Sequence, residues 1–359
     1  MNPALDLPFP AARRVAFWLW MLCTLIVVMV AVGGITRITE SGLSIVEWKP
    51  LTGALAPRTP EQWQAEFARY KATPQFQKFD QEHPTGMTLS DFQRIYFWEH
   101  VHRQLGRFIG LAYLLPFGVF LALRLIPSSW IPRIAIGFAL LLFQGFLGWF
   151  MVKSGLVDKP YVSHFRLAAH LSTALLLFAY LLWLVLDLLP FRTHRHTNYI
   201  SAAPLRRLTT AFLVLLSLQI IYGAFTAGLR AGYMHNSYPL MSGRFFPADA
   251  LPISIGHFFN NPAAVQFVHR HLGLLVVIAA FALWATALRQ RLMVRQKFAF
   301  NLIVVTVSLQ FILGIYTLIS GMNIVIAVAH QICACFLLAA TVTALHELIE
   351  PKTVTSLRS

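Results

Sequence analysis

The chain has 359 residues, 57% of them hydrophobic and 12% charged, with a mean hydropathy of +0.63. That balance, with three cysteines, excludes an ordinary soluble domain and a disulfide-stapled secreted one and is that of an integral membrane protein. The formal net charge of +15 would suit nucleic acid, but its excess sits in short connections between apolar runs, so it reports topology and not a nucleic-acid footprint.

Eight apolar stretches reach the about 20 residues a helix needs to cross a hydrocarbon core, near residues 15–35, 96–123, 132–152, 164–189, 207–229, 264–288, 298–319 and 323–347. No cleavage or transit pattern precedes the first, so the head from Met1 to Arg14 is expected to be retained. Arg13, Arg14, Arg124, Arg133, Arg192, Arg195, Arg206, Arg207, Arg289, Arg291, Arg295 and Lys297 mark the cytoplasmic connections. Both termini then lie inside, in a multi-pass protein of a bacterial inner membrane.

Span one ends in Gly33-Gly34-Ile35-Thr36-Arg37 and opens an outer loop carrying Ser41-Gly42-Leu43-Ser44-Ile45-Val46-Glu47-Trp48-Lys49-Pro50. A structureless loop of this length is uncommon, so a folded cap is expected. Within it, Trp63, Phe67 and Tyr70 recur at helical spacing; the segment is expected to rest on the membrane surface, with contact to a substrate as the alternative. Ser90 is the expected N-cap of span two, which holds Glu99 and His102 three residues apart and so on one face. Span three carries Gln144, Gly145 and Gly148, small residues among them that let helices approach closely. Span four begins near His164 and brings His170 to the same side. Span five, with Gln219 and Gly223, leads to a second outer loop from Gly228 to Pro262 that contains Asn236-Ser237-Tyr238-Pro239-Leu240-Met241.

Spans six to eight repeat two to four. Val101-His102-Arg103 returns as Val268-His269-Arg270, Gln144-Gly145-Phe146-Leu147-Gly148 as Gln310-Phe311-Ile312-Leu313-Gly314, and Ala168-Ala169-His170 as Val328-Ala329-His330. Four helices separate corresponding elements, an even number, so the halves insert with the same orientation. The expected fold is all-α, eight transmembrane helices forming two pseudo-symmetric parallel four-helix bundles, residues 1–190 and 191–359. Cys23, Cys333 and Cys335 fall within spans, and Cys333 and Cys335 point roughly 200° apart on a helix. No disulfide or thiolate metal site is expected.

His102, His170, His269 and His330 are each expected roughly 7–14 Å below the outer mouth. His102 can then face His170, and His269 can face His330. Histidine is costly inside a bilayer, and two imidazoles from facing helices form a natural axial pair for haem iron in an apolar slot. A hydrogen-bonded interhelical histidine is the plain alternative for any one alone; duplication at matched depth argues against it for all four. Closed tetrahedral zinc is disfavoured, since no cysteine or third histidine joins either pair. His100 and His271 lie on another helix face, and His83, His164, His194, His196, His235, His257 and His346 receive no role. Arg103 and Arg270 offer guanidinium to haem propionates or to the neighbouring bundle, against the alternative of snorkelling to headgroups. Glu99 is replaced by Gln266 in the second copy. A carboxyl one turn from an iron ligand is suited to shuttling protons; a salt bridge to Arg103 or Arg107 is the alternative.

The Ser41 to Pro50 segment, Glu99-x-x-His102-Arg103, Asn236 to Met241, Gln266-Phe267-Val268-His269-Arg270 and His330 together resemble the haem A synthase family of proteobacteria and mitochondria, over almost the whole chain. The resemblance implies oxidation of the C8 methyl of haem O to the formyl group of haem A by successive hydroxylations, for terminal oxidases. It implies that His102 and His170 hold the substrate haem with Glu99 as the acid of that site, that His269 and His330 ligate a permanent haem b, and that the farnesyltransferase making haem O from protohaem (haem O synthase) is a partner. Membrane lipid and an unidentified electron-transfer partner complete the expected surroundings, with no nucleic acid. Some relatives carry a cysteine pair in the first outer loop and this chain carries none there, so a thiol relay has no support. The rival reading is a di-haem b-type cytochrome that passes electrons without modifying its haem; it offers no reason for Glu99 in one half only. A transporter, suggested by the repeat, would place its site at the midplane instead.

Overall fold

Inside lipid a backbone finds its hydrogen-bond partners only within itself, so an apolar stretch of spanning length folds as helix. The computed structural model describes residues 9–47, 52–82, 86–155, 161–189, 203–251 and 254–349. Its helices are α1 (Ala12–Ile38), α2 (Pro60–Lys71) and α3 (Pro74–Glu82) in the first loop, α4 (Leu89–Ala122), α5 (Ile131–Gly155), α6 (His164–Leu188), α7 (Ala203–Gly228), α8 (His257–Asn260) in the second loop, α9 (Pro262–Leu288), α10 (Val294–Ile319) and α11 (Ile324–Glu347). Eight of these are long and apolar enough to cross a membrane, and the chain is an all-helical multi-pass membrane protein. Trp48-Lys49-Pro50, His83, Arg192, His194, Arg195 and His196 lie outside the described residues.

One helix start differs from expectation with a consequence. Helix α4 begins at Leu89, not near Tyr96, and Ser90 lies inside its first turn. Thr88 is the cap: its Oγ1 accepts the Asp91 backbone N–H at 3.2 Å while Asp91 Oδ2 accepts the Thr88 N–H at 3.1 Å, a reciprocal capping box. The added turns project past the spanning segment and present Phe92 and Tyr96. Helix α2 lies against them, Phe67 and Tyr70 stacking on Phe92 at 5.0 and 5.3 Å between centroids and Trp63 meeting Tyr96 edge-on at 5.0 Å. The segment expected to lie on the membrane surface therefore packs on α4, because its aromatic stripe finds aromatic partners within the protein. Burial there pushes the Tyr70 phenol well above its ordinary range.

Helix α1 touches α4 and α6, and α5 closes that circuit by touching both; α7 touches α9 and α11, and α10 closes the second circuit in the same way. The circuits meet where α1 packs on α11 and α6 packs on α7 and α11. Along α4 the two faces are both apolar yet opposite in fate: Ile109, Tyr113 and Phe117 are buried while Phe108, Leu111, Leu115 and Val119 are exposed. Pro116, inside this helix, has no N–H for the carbonyl of Ala112. The indole of Trp18 on α1 donates to that oxygen at 2.8 Å instead, so the broken bond becomes an interhelical one.

Both ends of the molecule are tied across the junction. On the face bearing the two loops, Arg37 donates to the carbonyl of Gly228 at 2.9 Å, and Glu40 and Arg230, each left-handed at φ 57° and 53°, form an ion pair. On the opposite face Asp187 of α6 binds His346 of α11 at 2.8 Å and also the guanidinium of Arg133. Gly228 allows α7 to approach the backbone of α6, since a Cβ there would lie 2.7 Å from the Cα of His164. Gly228→Ala should overpack the α6–α7 contact and cost about 1–3 kcal/mol, seen as a lower midpoint of thermal unfolding in detergent with the spectrum of the native protein otherwise unchanged.

Candidate metal centres

His102 stands on α4, His170 on α6, His269 on α9 and His330 on α11. His170, His269 and His330 lie within the first turns of their helices, roughly 9–11 Å from the starts on the loop-bearing face. His102 reaches comparable depth further along α4, because the start of that helix projects beyond the spanning part. His102 and His170 stand on helices of the first circuit, and His269 and His330 on helices of the second.

Each imidazole rests on a glycine of a neighbouring helix. A Cβ on Gly33 of α1 would lie 3.1 Å from His102 Cε1, on Gly148 of α5 3.2 Å from His170 Cε1, on Gly223 of α7 3.2 Å from His269 Cε1, and on Gly314 of α10 3.0 Å from His330 Cε1. These glycines are small for a reason beyond helix approach: any side chain would press on a ring. Three of them follow a glutamine one turn earlier. Gln144 Nε2 donates to the His170 carbonyl at 2.9 Å and Gln219 Nε2 to the His269 carbonyl at 3.1 Å, while the backbone carbonyl of Gln310 lies 3.1 Å from His330 Nδ1. The Gln-x-x-x-Gly pattern was legible in the sequence as a repeat; its use as a histidine seat was not.

The donor set suits iron in a porphyrin. Among the described residues no group of three or more His, Cys, Asp and Glu stands together, so each half offers two imidazoles, enough for a metal that brings its equatorial ligands with it. Nδ1 of His102, His170 and His269 is buried without a hydrogen-bond partner, as is Nδ1 of His100.

The arginines act on the loops. Arg103 donates to the carbonyl of Ile45 at 2.9 Å and Arg270 to those of Ser237 and Pro239 at 2.8 and 3.2 Å. Each therefore pins the loop of its own half above its histidine. Arg103 also binds Glu99 through Nε at 3.0 Å and Nη2 at 2.6 Å. Glu99, 3% exposed, receives two more bonds on Oε2, from Ser44 Oγ at 2.7 Å and the Ile45 N–H at 2.8 Å. Of the two readings weighed for Glu99, the ion pair with Arg103 is present. Gln266 fills the matching place by donating to the His235 carbonyl at 3.1 Å; with no acid beside it, Arg270 keeps Nη1 buried and unpartnered. Beside Arg103 and Arg107 a cavity of about 300 Å³ opens between the first loop and α4, away from all four histidines.

His100 stacks on Tyr96 and His271 bonds the Phe267 carbonyl, so neither joins a couple. His164 packs against Gly228 and Phe225. His235 links Ser242 and Asp249, and His346 is the partner of Asp187. Sequence reasoning missed the Asp187–His346 tie because its partners stand far apart in the chain and each is unremarkable alone.

A family model described as cytochrome oxidase assembly protein (COX15-CtaA) matches residues 16–342. The chain is 42% identical to Heme A synthase of Flavobacterium johnsoniae, over 94% of this chain and 98% of the relative. It is 44% identical to Heme A synthase of Rhizorhabdus wittichii over 96% and 97%, and 38% identical to Heme A synthase of Nitrosospira multiformis over 96% of each.

Proposed function

Because the chain belongs to the cytochrome oxidase assembly family whose relatives are named for haem A synthesis, we infer that it is a haem A synthase, a membrane enzyme that oxidises haem O to haem A. The observation that carries the site assignment is the pair of histidine couples, each ring seated on its own glycine. In this reading residues 1–190 form the substrate half and 191–359 the cofactor half.

His102 and His170 would hold the iron of the substrate haem, and His269 and His330 would hold a b-type haem. When bound, that haem supplies a reversible one-electron carrier, matching a reaction that removes electrons from the substrate. Arg270 presents its unpartnered Nη1 to a propionate, while Arg103, balanced by Glu99, positions the first loop over the substrate. Glu99 lies one helical turn from His102 and is the carboxylate placed to take up protons released from the substrate; Arg103 is the group that must yield Oε1 for that step. The distribution of Arg and Lys puts both termini in the cytoplasm of a bacterial inner membrane. The enzyme that farnesylates protohaem would hand over the substrate, and an electron-transfer partner would meet the half that carries His269 and His330.

Expressed in membranes that make haem O and no haem A, the chain should produce formyl-haem, detected by mass spectrometry of extracted pigments. A protein that binds both haems and yields no formyl-haem would be a plain b-type cytochrome, and the proposal would fall.

A further inference from the structure

The four histidine seats are not equal. One turn before the seat glycine stands Gln144 for Gly148, Gln219 for Gly223 and Gln310 for Gly314, but Met29 for Gly33. A second contact establishes that Met29 and Gln219 occupy the same place in their halves. A Cβ on Gly106, one turn after His102, would lie 3.5 Å from Met29 Cε, and a Cβ on Gly273, one turn after His269, would lie 3.0 Å from Gln219 Nε2.

Gln219 reaches across from α7 and donates to the carbonyl of His269 itself, and Gln144 does the same from α5 to His170. The backbone carbonyl of Gln310 accepts from His330 Nδ1 at 3.1 Å, which leaves Nε2 as the nitrogen a metal would take. Each of these histidines is thus joined by a polar bond to the helix its ring rests on, in surroundings with no water to replace that bond. A thioether has no N–H. Met29 brings only its terminal methyl near Gly106, so His102 itself takes no bond from the residue before its seat; the polar tie nearest it between α1 and α4 is a long one, Thr36 Oγ1 to the Trp98 carbonyl at 3.5 Å.

We propose that Met29 is a positioning residue that leaves the His102 seat unlatched, so that the haem held there is exchanged between turnovers while the haem in the other couple stays. The proposal rests on the assignment of His102 and His170 to the substrate and of His269 and His330 to the resident haem. The logic is one of function: a substrate site must let go, a cofactor site must not, and the single missing amide lies in the half assigned to the substrate. An interhelical hydrogen bond in a membrane protein is modest in strength, so the difference is one of exchange rate and not of binding or no binding.

The test uses the full chain in detergent, loaded with haem O, with excess apomyoglobin as acceptor, and follows the loss of each haem type by pigment extraction and visible spectra. Met29→Gln should slow loss of haem O roughly three- to tenfold, the scale of one such bond, with the rate of haem B loss unchanged. Met29→Leu, apolar and unable to donate, should behave as the native protein does. Gln219→Met should speed loss of haem B by a similar factor. Equal haem O loss from Met29→Gln and the native protein would overturn the proposal. Should Met29→Gln fail to accumulate, Gln219→Met decides, and an unchanged haem B loss rate there overturns it. His102→Ala serves as the control for the underlying assignment: if it depletes haem O while Met29→Gln has no effect, only the inference about Met29 fails. If His102→Ala depletes haem B instead, the assignment itself fails.

Discussion

His269→Ala and His330→Ala should each remove the b-type absorbance of the purified protein and reduce haem A output by about a hundredfold or more, taking the loss from a disturbed outer shell as the lower bound for losing a ligand itself. Each ring is one of two donors in its couple, and no third His, Cys, Asp or Glu among the described residues stands by to replace it. The glycine seats make the loss worse than a simple deletion. Gly223 and Gly314 leave space shaped for an imidazole, so the alanine variants leave a hole that nearby side chains cannot fill without moving α7 or α10. The check is a visible spectrum with pyridine haemochrome analysis of the same sample. Haem O bound at His102 and His170 should persist in both variants, accumulating because its oxidation has lost the electron carrier. Retention of haem B in His269→Ala, or its disappearance in His102→Ala, would reverse the division between the halves.

Glu99→Gln should lower haem A output at least tenfold while haem B content holds, and it should also loosen the first loop. Glu99 accepts four hydrogen bonds, two from Arg103 and two from the loop at Ser44 and Ile45. Removing one partner of a buried ion pair typically costs about 3–5 kcal/mol; Arg103 would keep the Ile45 carbonyl but lose its carboxylate, so the cost falls toward the lower end. Limited proteolysis of the first loop reads this effect, and pigment analysis reads the chemical one. The double variant Glu99→Gln/Arg103→Gln separates them. It removes the unbalanced charge at the cost of the Arg103 bond to the Ile45 carbonyl, so the loop should regain part of its protection. Oxidation should remain low if Glu99 handles protons; full recovery of haem A output in the double variant would show that Glu99 serves only as an anchor.

What could be read from the chain follows from which physical signals survive in one dimension. The eight spanning helices were legible because spanning length and apolarity are local properties, and the boundaries fell within a few residues wherever the apolar run and the helix ended together. They parted at α4, where the Thr88–Asp91 cap starts the helix ahead of its apolar run. The same cause moved α2 from lipid to protein: a stripe of Trp63, Phe67 and Tyr70 reads alike whether its partner is a membrane or Phe92.

The pairing of histidines is expected from the sequence because a repeat carries relative depth with it. Their seats are not, since Gly33 and Gly223 look like any small residues that permit close helix packing, and only coordinates reveal that a ring lies opposite each. The role of the arginines shows the same limit. Arg103 and Arg270 were recognised as a recurring pair, but the carbonyls of Ile45 and Ser237 that they hold come from loops whose paths no periodicity records.

By itself, then, the sequence determined that this protein is a helical membrane protein and that it is built on a duplicated plan, with a histidine recurring at matched places in both copies. Tertiary structure alone decided which face of each span meets lipid and which meets protein. In a soluble helix polarity separates those faces; here both are apolar, as with Ile109 and Leu111 on α4, so the choice is left to close packing at glycines, to the few interhelical hydrogen bonds, and to the ion pairs that close the two ends.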